Sequence, residues 1–145
     1  MMQASERALA LIRQCEGFTP KPKPDAGGRM QIGYGHDILP GELFSDVSAE
    51  QAETLLAADV KCIEAAINRL VTVALSQNQF DALVDLIYNI GTQAFEKSTL
   101  LILLNEGDMA EAAEQFGRWV YGGGEVMSGL TTRRALEKAL FCKAI

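Results

Sequence analysis

The chain has 145 residues, 48% hydrophobic and 22% charged, which suits one domain with a sizeable core and excludes a disordered polymer. With 13 basic and 19 acidic residues its net charge is −6, so the basic footprint of a nucleic-acid binder is missing and no nucleic-acid partner is expected. No apolar run approaches the roughly 18–20 residues that span a bilayer, so no membrane span is expected.

The opening residues, Met1 to Arg7, carry neither a basic n-region nor a long apolar stretch. They predict no signal peptide and synthesis in a cytoplasm. Cys15, Cys62 and Cys142 are odd in number, far apart and set in apolar helical contexts, which predicts three buried free thiols. The alternative for Cys15 is a redox switch that blocks its neighbour Glu16. There is no CxxC pattern and one histidine, so no metal is expected.

Taken in order, Ser5 to Cys15 has Ala8, Leu9, Leu11, Ile12 and Cys15 at helical spacing, with Ser5 placed to cap and Gly17 to stop the helix. Glu16 then lies at the negative pole of a helix, which disfavours its charged form. Pro20, Pro22 and Pro24 make Phe18 to Lys23 an extended segment unfit for a central strand. Asp25-Ala26-Gly27-Gly28 is turn chemistry, and Arg29 to Tyr34 alternates as a return strand. The result is a small hairpin or three-stranded ribbon ending near His36. Gly33 and Gly35 around Tyr34 point to close backbone approach by another element or a ligand.

Ser48-Ala49-Glu50-Gln51 is a capping box opening a long helix to about Leu70, and Ser76-Gln77-Asn78-Gln79 opens another that ends at Gly91. Shorter helices are expected over Lys97 to Glu106 and from Asp108 to about Val120. Gly122-Gly123-Gly124 reads as a flexible loop. A last helix starts at Thr131 or Thr132 and runs through Cys142, with Leu136, Leu140 and Phe141 inward and one of Arg133 and Arg134 facing in.

Glu16 and Asp25 are the pair that could carry chemistry. Glycoside hydrolysis needs two carboxylates in unlike surroundings, one protonated to serve as acid and one ionised to direct water. Glu16, beside Cys15 and Phe18 at a helix end, suits the acid; Asp25, in a Gly-rich turn, suits the base. On composition alone the pairing is weak, because a chain with 19 carboxylates always offers some such pair. The plainer reading makes Glu16 no more than a C-terminal helix residue paired with Arg13 or a lysine, and Asp25 a turn former.

The residues themselves resemble the phage-type lysozymes, the endolysins of glycoside hydrolase family 24. The likeness rests on Glu16-Gly17-Phe18, Asp25 after eight intervening residues, and Ile32-Gly33-Tyr34-Gly35-His36. It extends through Phe80-Asp81-Ala82-Leu83-Val84, Tyr88-Asn89-Ile90-Gly91, Arg118-Trp119 and Gly129 to Glu137. It implies an α+β, mainly α, lysozyme-like fold in a single domain over 1–145. A β-hairpin N-terminal lobe (about 1–50) and a helical C-terminal lobe (about 71–145) would be joined by the long helix (about 48–70).

The resemblance further implies muramidase action on the β-1,4 bond between N-acetylmuramic acid and N-acetylglucosamine. Glu16 would be the general acid and Asp25 the residue that orients water. Arg133 would pair with Glu16 and His36 with Asp59 as supports, while Tyr34, Tyr88 and Asn89 would line the glycan cleft. The implied partner is a peptidoglycan strand, bound by a monomer without cofactor, made in the host cytoplasm and acting on the wall after release.

At one position the chain departs from the family: with five residues between it and Asp25, Gln31 stands where the family has a water-holding threonine. Gln31 can hold a water through its donor or acceptor, or fill the water's place. The alternatives are therefore a lytic transglycosylase on the same bond, or a non-catalytic peptidoglycan-binding domain.

Overall fold

The computed structural model describes residues 1–25 and 27–143. Helix α1 (Glu6–Glu16) ends at Gly17, whose φ of 71° lets its N–H donate back to the Arg13 carbonyl at 2.9 Å. Ser5 occupies the N-cap position, but its hydroxyl does not cap. It donates instead to Asp81, and the Ser5 N–H also reaches Asp81 Oδ1 at 3.0 Å.

Strands β1 (Thr19–Pro24), β2 (Met30–Gly33) and β3 (His36–Asp37) form an antiparallel sheet in the order β1-β2-β3. The three prolines thus fall on an edge strand, where a missing N–H leaves no ladder bond unmade. The β2–β3 register pairs Gln31 with Asp37 and Ile32 with His36. Because side chains alternate across a strand, Ile32 and His36 share the buried face while Gln31 and Asp37 share the other.

Both predicted capping boxes form with reciprocal bonds, Ser48 with Gln51 and Ser76 with Gln79. They open α2 (Ala49–Leu70) and α3 (Gln77–Ile90). The 22 residues of α2 extend ~33 Å at ~1.5 Å per residue. It packs on β2 and β3 through its first half and on α3 further along. Gly33 is pressed against it: a Cβ there would lie 3.1 Å from Ala52 Cβ.

Helix α3 is the centre of the molecule. Every residue from Phe80 to Ile87 is buried, under α1, α2 and the last helix, α7 (Ser128–Cys142). Phe80, Phe95, Phe116, Leu83, Leu86, Ile87, Leu100 and Leu104 are fully enclosed, each such side chain worth ~1.5–3 kcal/mol of burial. Phe116 and Phe141 meet with ring centroids 5.3 Å apart.

Between α3 and α7 the chain departs from the reading in several places. The expected 97–106 helix is α5 (Thr99–Asn105), and a short α4 (Thr92–Glu96) precedes it. Helix α6 (Met109–Gln115) does not run to Val120; it tightens into a 3₁₀ turn over Phe116–Arg118. The triple glycine is no loose loop but the turn between β4 (Tyr121–Gly122) and β5 (Glu125–Val126). Gly123 and Gly124 both take positive φ, 59° and 83°, as a two-residue hairpin turn requires.

Helix α7 starts at Ser128, ahead of the expected Thr131, and presents an unexpected face. Leu136 is exposed, while Arg133, Arg134, Glu137 and Phe141 are buried. Both arginines face in, not one. Two of the three cysteines also depart from expectation: Cys62 and Cys142 are exposed and Cys15 is half-buried. Cys62 falls off the inward row of α2 set by Leu56, Val60, Ile63 and Ile67.

Candidate active site

Glu16 is the last residue of α1, and its side chain is only 14% exposed. Arg13, the partner in the plainer reading, is engaged elsewhere, with Glu53 and Glu6. Glu16 Oε2 instead accepts from Arg133 Nη1 at 2.6 Å. Across from it lies Gly35, with φ of 80°, where a Cβ would stand 2.5 Å from Glu16 Oε1. The two glycines around Tyr34 therefore have separate causes: Gly33 admits a helix, Gly35 admits this carboxyl group. Burial raises the Glu16 pKa above the ordinary carboxylate range. Arg133 opposes the rise, and the charges of Asp85 and Asp37 add to it.

Arg133 is held by more than Glu16. Its Nε and Nη2 donate to Asp85 Oδ2 and Oδ1 at 3.0 and 2.9 Å, a bidentate pairing that occupies one whole edge of the guanidinium. Glu137 sits beside them with no exposure, bonded by Arg134 Nη2 at 2.9 Å. Burial pushes Glu137 up to about 10, the neighbouring Asp85 adds to the rise, and Arg134 and Arg133 oppose it. Burial acts to raise Asp85 as well, but the bonds from Glu137 and Arg133 outweigh it and hold Asp85 below its ordinary value. The network is thus a buried cluster of Arg133, Arg134, Asp85 and Glu137, and of the three Arg133 N–H groups that Asp85 leaves, one goes to Glu16.

The sheet supplies the polar groups. Lys23 pairs with Gln31 in β1–β2 and Gln31 with Asp37 in β2–β3, so the three lie on one face. Asp25 follows Pro24 in the turn that joins β1 to β2, and its Oδ1 accepts from the Gly27 and Arg29 N–H groups at 2.9 and 2.8 Å. It is therefore a turn former in fact, whatever else it does. Gln31 Nε2 donates to Asp37 Oδ1 at 2.9 Å, and Asp37 Oδ2 lies 3.7 Å from Arg29 Nη1.

His36 is buried and doubly held, its Nδ1 2.7 Å from Asp59 Oδ2 on α2 and its Nε2 2.9 Å from Glu42 Oε1. Burial works to lower its pKa, yet the two carboxylates outweigh burial and raise it above 6.5. Glu42, whose Oε1 also accepts the Leu39 N–H at 2.7 Å, makes this a three-residue clasp. Tyr34 and Tyr88 meet where Tyr88 Oη donates to the Tyr34 carbonyl at 2.6 Å, bridging sheet and α3. Asn89 next to it is exposed. A shallow cavity of about 250 Å³ lies at this junction, lined by Gly35, Asp37, Asp59, Tyr88 and Gly91 among others.

The sequence reading missed Asp85, Asp37 and Glu42. A signal existed for Asp85: Asn78, Asp81 and Asp85 form a polar row on an otherwise apolar helix, at spacings of three and four. Each member is buried, and each holds another segment: Asn78 meets Arg7, Asp81 meets Ser5, and Asp85 meets Arg133. Nothing local marks Asp37 or Glu42. Among the described residues no group of three His, Cys, Asp or Glu side chains is placed to hold a metal.

The phage lysozyme family model matches residues 13–137. An endolysin of Acyrthosiphon pisum secondary endosymbiont phage 1 is 40% identical over 146 residues, covering 97% of this chain and 98% of the relative. An endolysin of Bacillus phage PZA is 43% identical over 97% of this chain, which spans about half of that relative, 55% of its length. Among solved structures, a muramidase domain from Asticaccaulis excentricus superposes with a TM-score of 0.89 at 38% identity, covering 99% of this chain and 100% of that one. An endolysin from the Escherichia coli O157:H7 phage FAHEc1 gives a TM-score of 0.87 at 34% identity, covering 99% and 96%.

Proposed function

The chain belongs to the phage lysozyme family, and on that premise we propose that it is a muramidase cutting the β-1,4 bond between N-acetylmuramic acid and N-acetylglucosamine in peptidoglycan. The observation that carries the reading is Glu16: buried, with a raised pKa, and fixed by a single bond from an arginine that Asp85 also holds. A raised pKa favours the protonated carboxyl that a general acid needs. Its Oε2 is held by Arg133, so Oε1 carries the proton to the leaving glycosidic oxygen.

Asp25 is the second carboxylate of the proposal. As the leaving group takes the Glu16 proton, a water attacks the sugar carbon and gives its own proton to Asp25, which is an inverting route. Gln31 shares the sheet face and holds that water. Tyr34, Tyr88 and Asn89 line the cleft, while Arg133 and His36 with Asp59 hold the frame. The protein works as a monomer without nucleic acid, and reaches the wall after release from the cytoplasm in which it is made. Support for that route comes from relatives named endolysins.

A second reading is favoured by one observation, the replacement of the family threonine by Gln31. If Gln31 displaced the water, the muramic acid would close on itself, as in a lytic transglycosylase. One experiment separates the readings: digestion of purified peptidoglycan followed by mass spectrometry of the released muropeptides. Hydrolysis adds one water per cut and leaves reducing ends, whereas transglycosylation leaves anhydro ends. Glu16→Gln should abolish release in either case with the fold intact, a loss of at least about 100-fold for removal of a general acid. Undiminished release by that variant would overturn the assignment.

A further inference from the structure

We propose that Asp37 is a positioning residue that makes Gln31 a one-sided acceptor for the attacking water, so that the two side chains together replace a threonine hydroxyl. The inference rests on the muramidase reading above. Its starting point is a property of the glutamine side chain: the carboxamide is a donor at one end and an acceptor at the other, and turning it over swaps the two. A hydroxyl can rotate to suit whatever it meets. A glutamine amide held in a sheet needs something to decide which end faces the reacting water.

Asp37 supplies the decision. It stands directly across the β2–β3 ladder from Gln31, on the same face, and takes Gln31 Nε2 on Oδ1 at 2.9 Å. A carboxylate has only acceptors to offer, so it accepts Nε2 and repels Oε1. The Gln31 carbonyl is thereby turned away from Asp37. The other Asp37 oxygen lies 3.7 Å from Arg29 Nη1, an exposed pair that adds a weak attraction. The placement fits the site as well: Asp37 lines the cavity that holds Gly35 and Tyr88, and its charge bears on Glu16.

The chemical consequence is a division of labour. The attacking water gives one proton to Asp25 as its oxygen bonds to the sugar carbon, and its other hydrogen is the one Gln31 Oε1 accepts. A reversed amide would offer N–H groups to the water, drawing on the lone pair that must attack. Reversal would therefore slow the water without weakening the glycan contacts.

The test is a double-mutant cycle of Asp37→Asn and Gln31→Thr, assayed on soluble peptidoglycan fragments in heavy-oxygen water, with label counted in the new reducing ends. An asparagine at 37 can donate as well as accept, which frees the Gln31 amide to turn over. The expected result is a fall in kcat of about tenfold with little change in KM, as for contacting residues that act together. In the Gln31→Thr background the same Asp37 change should cost less than about twofold, because a hydroxyl orients itself.

Equal losses in both backgrounds, or no loss in the parent chain, would overturn the proposal alone. Circular dichroism and melting of each variant, with Asp37→Ala alongside, separate a folding defect from a kinetic one. Absence of label from the parent chain's products would overturn the hydrolytic reading itself, and this inference with it.

Discussion

Asp85 occupies two of the N–H groups of Arg133 and leaves a third for Glu16. The arrangement sets how strongly Arg133 can hold Glu16 ionised. An arginine with its charge already met by a carboxylate attracts a second carboxylate less, and the Asp85 charge itself disfavours a charged Glu16. Asp85→Asn removes both effects, so the Glu16 pKa should fall. If Glu16 works protonated, the rate declines as pH rises through that pKa, and the alkaline limb of the profile should move to lower pH in the variant. The check is kcat/KM against pH, with melting curves to account for the buried charge left unpaired, a change that costs about 3–5 kcal/mol in comparable cases.

Gly35→Ala tests the packing of the candidate acid. The new methyl would lie 2.5 Å from Glu16 Oε1, at a backbone φ of 80° that suits glycine. Positive φ alone costs about 1–3 kcal/mol at a residue with a Cβ. Displacing a reacting group by about 1 Å costs on the order of 100-fold in rate. Activity should therefore fall much further than stability, and measuring both on one preparation distinguishes a moved carboxyl from a loosened fold.

The His36 clasp predicts a pH-dependent stability with a definite sign. Its folded pKa is raised above 6.5, so the charged form is favoured by folding. The contribution is complete below pH 6.5 and is lost as pH rises through the folded value. Thermal unfolding of the parent chain should thus show declining stability above pH 6.5, and His36→Asn should flatten that slope. At low pH the variant should be less stable by about 2 kcal/mol, the scale of hydrogen bonds to charged groups.

Thiol titration checks the corrected cysteine placement. Cys62 and Cys142 are exposed and should react with a disulfide reagent at rates set by solvent access. Burial pushes Cys15 up to about 11, so little thiolate exists there at neutral pH and it should react far more slowly. Two fast thiols and one slow one are expected, and Cys62→Ser with Cys142→Ser should remove the fast phase. A fast phase surviving in that double variant would contradict the assigned burial of Cys15.

Signals that act over a few residues were legible in the sequence. The two capping boxes, the glycine stops at Gly17 and Gly91 and the proline edge strand all appear as read. Part of what failed depended on partners distant in sequence. Helix α7 was assigned Leu136 as an inward residue by hydrophobicity, yet it turns Arg133, Arg134 and Glu137 inward, where Arg133 meets Asp85 on α3 and Arg134 meets Glu137 and the Trp119 carbonyl. The β4–β5 hairpin was missed although two consecutive glycines are the residues its turn requires. Cys62 was misplaced by a residue-type preference that its position on α2 should have overruled. The roles of Asp25 and Gln31 came from the family likeness, since spacing alone cannot say which of many carboxylates share a cleft.

The bond between Glu16 and Arg133 joins residues 117 apart in the chain. Contacts of such long range form only after the intervening segments have closed their loops. Glu16 is thus incompletely furnished in any nascent or partly folded chain whose α7 has not docked. A chain cut within α7 ahead of Arg133 would keep both proposed catalytic carboxylates and lose the group that fixes the first. On the muramidase reading, the capacity to cut a wall requires α7 docked on α3, however complete the segments that carry Glu16 and Asp25.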